Sequence, residues 1–170
     1  LNRLFSLMQQ EVFLFDKSIN FNISLGRKYI SDEDVIAAAK YVYANKFIDK
    51  LPGSYLFQLK DSGSNLSAGE NQLIAFARAI VSGAEVVMLD EATSAVDSVT
   101  EKLIQKAIDH VFEEKTVIAI AHRLSTIQHS DQILVLDQGR IIESGNHQAL
   151  IEQGGFYANL VSGDDSVLSA

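Results

Sequence analysis

The sequence predicts an α/β fold built on a parallel sheet, with an all-helical insertion between two of its strands. Two observations carry the sheet. Val86 to Leu89 are four apolar residues in a row, and Thr116 to Ala121 repeat the pattern. Apolar runs without alternation are how strands covered on both faces of a parallel sheet read. A third observation carries the insertion. Val35, Ala38, Ala39 and Val42 recur at helical spacing, and Asn71 to Val81 form a second helical run.

Bulk properties narrow the function classes. At 170 residues and 47% hydrophobic content, the chain is one domain or most of one, with enough apolar mass for a core. A net charge of −8 argues against a nucleic-acid face. The absence of cysteine rules out a disulfide framework and thiol chemistry, which suits the cytosol. Arg78, Glu85 and Asp90 interrupt the longest apolar stretch before it could span a bilayer. No signal peptide is present and the first residue is Leu, so the expectation is an internal or C-terminal piece of something longer.

In chain order, Leu4 to Met8 reads as a strand ending at Gln9-Gln10. Ser18 to Gly26 reads as a loop with a short apolar turn. Ser31 caps a helix whose first turn carries Asp32, Glu33 and Asp34 at its positive end. A short helix ends near Lys50, and Pro52-Gly53 makes a turn. Ser67-Ala68-Gly69-Glu70 has capping-box spacing ahead of the run Asn71 to Val81, with Leu73, Ala77 and Ile80 on its inner face. Ala92 to Asp97 is a loop, and Ser98 and Glu101 form another capping box. The helix they start carries Leu103, Ile104, Ala107, Ile108 and Val111 on its apolar side. A short helix is expected over Leu124 to Gln128. Gln132 to Leu136 and Arg140 to Glu143 form a hairpin around Asp137-Gln138-Gly139. His147 to Glu152 and Phe156 to Leu160 are helices broken by Gly154-Gly155, and the polar end from Ser162 to Ala170 frays.

Three element ends carry chemistry. Asp90 and Glu91 emerge at the carboxyl end of a buried strand, where open α/β sheets bind ligands. Adjacent residues there point in different directions, so one carboxylate can hold a hydrated Mg²⁺ while the other addresses a water. Taken alone, the pair reads equally well as an acidic strand end facing solvent. The Ser67–Glu70 box is likewise a structural cap. It also leaves backbone amides and a positive dipole end for an anion, and Gly69 admits a phosphate closely. Thr116 to Ala121 delivers His122, then Arg123, to the same edge. His110, His129 and His147 stand at no metal-ligand spacing and read as surface or structural residues.

Together and in this order, the motifs resemble the nucleotide-binding domain of an ABC transporter of the exporter branch. Leu66 to Glu70 match the signature, usually Leu-Ser-Gly-Gly-Gln, and Val86 to Glu91 match Walker B with its catalytic glutamate. Ser94-Ala95-Val96-Asp97 match the D-loop, and Ala121-His122-Arg123-Leu124-Ser125-Thr126 the switch histidine. Gln10-Glu11-Val12-Phe13-Leu14-Phe15 resembles the Q-loop, with Gln9 as the alternative glutamine. The resemblance runs to about Val161 and implies an incomplete RecA-like P-loop NTPase core with an inserted helical subdomain. Residues 1–25 would be the Q-loop end of that core and 26–83 the helical subdomain ending in the signature helix. Residues 84–161 would run from Walker B through the rest of the core, and 162–170 would be a flexible tail.

The resemblance further implies an ATPase, with ATP and Mg²⁺ as cofactors, that powers transmembrane transport. Asp90 would position Mg²⁺ through water, Glu91 would act as general base on the attacking water, and His122 would contact the γ-phosphate. Gln10 would ligate Mg²⁺ and relay nucleotide state to the transmembrane partner. Phe13, Leu14 and Phe15 would be contact or packing residues there. The signature, Leu66 to Glu70, would act through Ser67 and the Gly69 amide on ATP held by the opposite subunit of a dimer, and Asp97 would link the two sites. The domain would sit on the cytoplasmic face of the cell membrane through its transmembrane partner, with no nucleic acid involved. The sequence departs from the family pattern at three places. Ala68 adds a methyl, Glu70 adds charge, and Lys60-Asp61-Ser62-Gly63 lacks the arginine of the usual Gly-Glu-Arg-Gly.

No Gly-x-x-x-x-Gly-Lys-Ser/Thr occurs in the sequence, so the loop whose amides cradle phosphates is missing. This chain alone is therefore expected to bind ATP weakly or not at all. Without the Walker A strand, two sheet edges are expected to lack partners and to favour swapping, self-association or a rearranged sheet. The rival readings are a nucleotide-incompetent interaction module and a soluble ABC protein acting outside transport.

Overall fold

A computed structural model of the chain describes residues 4–9, 12–91, 98–121 and 127–163. The chain divides into two compact units, Leu1–Ile120 and Ala121–Ala170.

The first unit contains a sheet of strands β1 (Phe5–Met8), β2 (Val86–Glu91) and β3 (Thr116–Ala121), with β2 between the other two. β1 runs parallel to β2, with Phe5 opposite Val86 and Met8 opposite Leu89. Parallel neighbours need a crossover. Here it is the helical insertion, containing α1 (Ile19–Ser24), α2 (Asp32–Tyr41), α3 (Asn45–Ile48) and α4 (Ala68–Val81). Helix α5 (Ser98–Glu114) joins β2 to β3. The parallel sheet and the insertion both match the expectation.

Packing follows from the alternation of side chains along a strand. Val87, Leu89 and Met8 turn to one face. There they join Leu73, Phe76 and Ala77 of α4 and Ile104, Ala107, Ile108 and Val111 of α5 in one core. Burial of each large side chain in that core contributes roughly 1.5–3 kcal/mol.

The other face departs from the reading of strands covered on both sides. Leu7 and Met88 pair across the sheet yet are exposed, as are Phe5, Ile118 and Ile120. An apolar run records that both faces avoid water. It does not record that this chain supplies both covers. The buried side chains of α4 and α5 cluster with Val87 and Leu89, on the opposite face.

A second departure lies at Ser18 to Gly26, which forms helix α1 rather than a loop. Ser18 caps it by accepting the Phe21 amide at 3.1 Å, and Leu25 ends it in the left-handed region. Six residues do not make a stable helix alone. Tertiary burial of Ile19, Asn22 and Ile23 stabilises it.

In the second unit, β4 (Ile133–Asp137) and β5 (Arg140–Gly145) form the expected antiparallel hairpin. Asp137 pairs with Arg140, leaving a two-residue turn in which Gln138 and Gly139 both take positive φ, 44° and 75°. That geometry matches the twist of the strands, and it favours glycine. Helices α6 (His147–Gln153) and α7 (Phe156–Ser162) follow, and Ile133, Leu150 and Tyr157 form the core. Most of the helix expected over Leu124 to Gln128 lies outside the described residues, as do residues 164–170. Among the described residues no helix is long and apolar enough to cross a membrane.

Candidate functional site

The first part of the candidate site is a strand edge. Because β1 and β2 are parallel and Met8 lies opposite Leu89, Gln9, just past β1, and Asp90, next to last in β2, lie at the same end of the sheet. Asp90 is partly buried there and Gln9 is exposed. Glu91 closes β2, but its side chain lies outside the described part, and Gln10, Asp97 and His122 lie outside the described residues altogether. Among the described residues no cluster of three or more His, Cys, Asp or Glu could cage a metal. A single strand-end carboxylate fits Mg²⁺, which keeps several waters and takes its other oxygens from substrate phosphates.

The second part is the start of α4. Ser67 is exposed and extended (φ −72°, ψ 159°), and its Oγ accepts the Glu70 amide at 3.2 Å. Glu70 returns its carboxylate to the Ser67 amide at 2.8 Å. The capping box read from the spacing is therefore formed on both sides. It ties up the Ser67 and Glu70 amides, while those of Ala68 and Gly69 have no acceptor within the helix. These two are the amides available to an anion. Ala68 is exposed, Gly69 is buried, and Leu66 packs against the core. Among the described residues no hydrogen bond joins Ser67 or Glu70 to Asp90.

The chain enters α4 through three successive positive-φ residues, Asp61 (44°), Ser62 (58°) and Gly63 (93°). A Cβ at Gly63 would meet Asn71 Oδ1 at 2.8 Å and Leu14 Cδ1 at 2.9 Å, so both conformation and space call for glycine. Asn71 holds the turn by donating to the Gly63 carbonyl at 3.1 Å.

The third part is the stretch from Val12 to Lys17, which the fold divides by role. Leu14 is fully buried, whereas Phe13 and Phe15 are 61% and 41% exposed. The two phenyl rings meet edge to face at 5.1 Å, and Phe15 meets Phe21 the same way at 5.8 Å. Asp16 accepts the Ser62 amide at 2.8 Å, and the Lys17 carbonyl accepts the Leu59 amide at 2.9 Å. The stretch is also held from α4. Arg78 donates to the Phe13 carbonyl at 3.0 Å and to the Asn22 carbonyl at 2.7 Å. Burial lowers the Arg78 pKa from its ordinary value. Sequence reasoning missed Asp16, Asn22 and Arg78. The one signal on offer was a lone arginine inside the apolar run from Ala75 to Ile80.

The remaining histidines with described partners are structural, as read. His110 Nε2 lies 3.3 Å from the Tyr43 hydroxyl, and His147 Nδ1 lies 2.8 Å from the Tyr157 hydroxyl.

The model of the ABC transporter family matches residues 1–94, more than half of the chain. The chain belongs to the ABC transporter family. An ATP-dependent lipid A-core flippase of Methylobacillus flagellatus is 47% identical to this ABC chain over 161 residues, covering 94% of it and 28% of the flippase. ABC transporter B family member 14 of Arabidopsis thaliana is 46% identical, over 94% of this chain and 13% of its own length. A solved structure of a bacterial Atm1-family ABC exporter with ATP bound superposes with a TM-score of 0.84 at 41% identity, covering 94% of this chain and 28% of the exporter. The solved exporter shares the fold of this chain over 94% of the chain's length. The chain spans 28% or less of the length of each of these relatives.

Proposed function

We propose that this ABC chain supplies the catalytic strand edge and the signature helix of an exporter's ATPase domain, with hydrolysis of ATP powering transmembrane transport. The observation that supports it most is the emergence of Asp90 at the carboxyl edge of β2, beside the end of parallel β1. In this reading Asp90 would hold Mg²⁺ through water, and Glu91 would act as general base on the attacking water. His122, which follows β3 in the sequence, would contact the γ-phosphate, and Gln10, which follows β1, would ligate Mg²⁺ and relay nucleotide state. When bound, Mg²⁺ supplies charge neutralisation at the β- and γ-phosphate oxygens.

Ser67 and the amides of Ala68 and Gly69 fit the γ-phosphate end of ATP. The sequence holds no Gly-x-x-x-x-Gly-Lys-Ser/Thr, so this chain does not fit the rest of the triphosphate. Following the family resemblance, the reading assigns Ser67 and Asp90 to different nucleotides in a dimer of such domains, with Asp97 at the junction. Phe13 and Phe15, exposed and meeting edge to face, are the side chains it offers to the transmembrane partner on the cytoplasmic face of the membrane.

The test uses the full-length protein containing this chain. Glu91→Gln is expected to retain ATP binding and to lower turnover by roughly two orders of magnitude or more. A variant that hydrolyses at the wild-type rate would overturn the assignment. For this chain alone, a nucleotide titration is expected to show no saturable binding at micromolar ATP.

A further inference from the structure

We propose that Arg78 is a positioning residue through which the signature helix α4 holds the Phe13–Phe15 aromatic pair, so that movement of the helix start is carried to that pair. The proposal rests on the exporter reading, in which the pair meets the membrane partner.

Three donors of one guanidinium make the connection. Nη1 reaches the Phe13 carbonyl at 3.0 Å, Nε reaches the Asn22 carbonyl at 2.7 Å, and Nη2 reaches Asn22 Oδ1 at 3.4 Å. Asn22 is fully buried and passes the contact on. Its Oδ1 accepts the Phe15 amide at 2.8 Å, and its Nδ2 donates to the Phe15 carbonyl at 2.9 Å and to the Ser18 carbonyl at 3.0 Å. The backbone of both aromatic residues is thus hydrogen-bonded, directly or through one amide, to a side chain of α4.

The choice of partners argues for position over charge. Among the described residues, Arg78 donates to two carbonyls and an amide oxygen, all uncharged. Partly burying a cation against neutral acceptors costs free energy that an apolar side chain would not. What the guanidinium adds is a planar fork that fixes two segments at once, which the single ammonium of a lysine does not reproduce. Ser67 caps the same rigid helix eleven residues upstream, about 16 Å along its axis at 1.5 Å per residue. The helix runs unbroken from Ala68 to Val81, so its start and Arg78 belong to one element. A shift at Ser67 therefore displaces the Phe13 carbonyl instead of dissipating in the loop.

Hydrogen exchange on the full-length protein, with and without ATP and vanadate, tests this. In the wild type, exchange is expected to change both at residues 66–70 and at residues 12–16. In Arg78→Lys the change at 66–70 is expected to persist, while that at 12–16 shrinks by roughly fivefold or more. Persistence of the full change at 12–16 in Arg78→Lys would overturn this inference alone. Absence of any nucleotide-dependent change at 66–70 in the wild type would overturn the exporter reading beneath it. A check that needs no variant is the Phe15 amide of the wild type, expected to exchange as slowly as the core of α4. Exchange at the rate of a free loop amide would sink the proposal.

Discussion

Ser67 and Glu70 hold each other: the serine Oγ accepts the Glu70 amide at 3.2 Å, and the Glu70 carboxylate accepts the Ser67 amide at 2.8 Å. The carboxylate that departs from the usual signature glutamine is therefore committed to the backbone. Glu70→Ala is expected to lower the stability of the first unit by about 0.5–1 kcal/mol in urea unfolding. Glu70→Gln keeps the acceptor and is expected to change stability by only about a few tenths of a kcal/mol. In the full-length protein Glu70→Gln is further expected to tighten ATP binding, since it removes a negative charge beside the anion-facing amides. A weaker ATP affinity in that variant would count against the role assigned to the helix start.

Helix α2 carries a pH dependence of known sign. The Ser31 amide, and then its hydroxyl, bond to the Asp34 carboxylate and hold its pKa below the ordinary 3.8. An acid depressed in the folded state contributes stability above its unfolded value and loses it as pH falls through the folded value. Urea midpoints measured from about pH 5 downward are expected to fall more steeply for the wild type than for Asp34→Asn. Equal slopes would show that the capping box is not held in solution.

The second unit depends on one carboxylate. Glu143 of β5 accepts from the Phe156 amide, and from the Tyr157 amide at 3.0 Å, at the start of α7. Glu143→Ala leaves both amides without that acceptor and is expected to cost about 1–3 kcal/mol. Loss of Tyr157 protection in hydrogen exchange, with the first unit unchanged, is the accompanying signature.

The bare face of the first sheet has a solution consequence. Phe5, Leu7, Met88, Ile118 and Ile120 expose contiguous apolar surface of the kind that drives association. Sedimentation velocity on this chain is expected to show concentration-dependent self-association. Leu7→Lys and Ile120→Lys are expected to reduce it while leaving the fold intact, because neither side chain belongs to the core. A monomer at all concentrations would refute the expectation.

Much of this was legible in the residues. Helix caps are local, set by side chains three positions apart, so Ser31 announced the start of α2 and Ser67 that of α4 with its box. Asp137-Gln138-Gly139 announced the hairpin turn for the same reason. Other features were not local. Asn22 reads as a polar loop residue until the fold wraps the carbonyls of Phe15 and Ser18 around its amide. Arg78 reads as an interruption in an apolar helix until its fork meets the Phe13 carbonyl, 65 positions away.

The sequence by itself determined the strands, the two capped helix starts and the placing of Asp90-Glu91 at a strand end. Each of these follows from spacing and from the chemistry of neighbours in the chain. Tertiary structure alone decided which face of β2 is covered, that Ser18 to Gly26 is a helix, and that Phe13 is displayed while Leu14 is buried. Those outcomes depend on which distant groups arrive to satisfy a carbonyl or exclude water, and the linear order of residues does not encode such arrivals one position at a time.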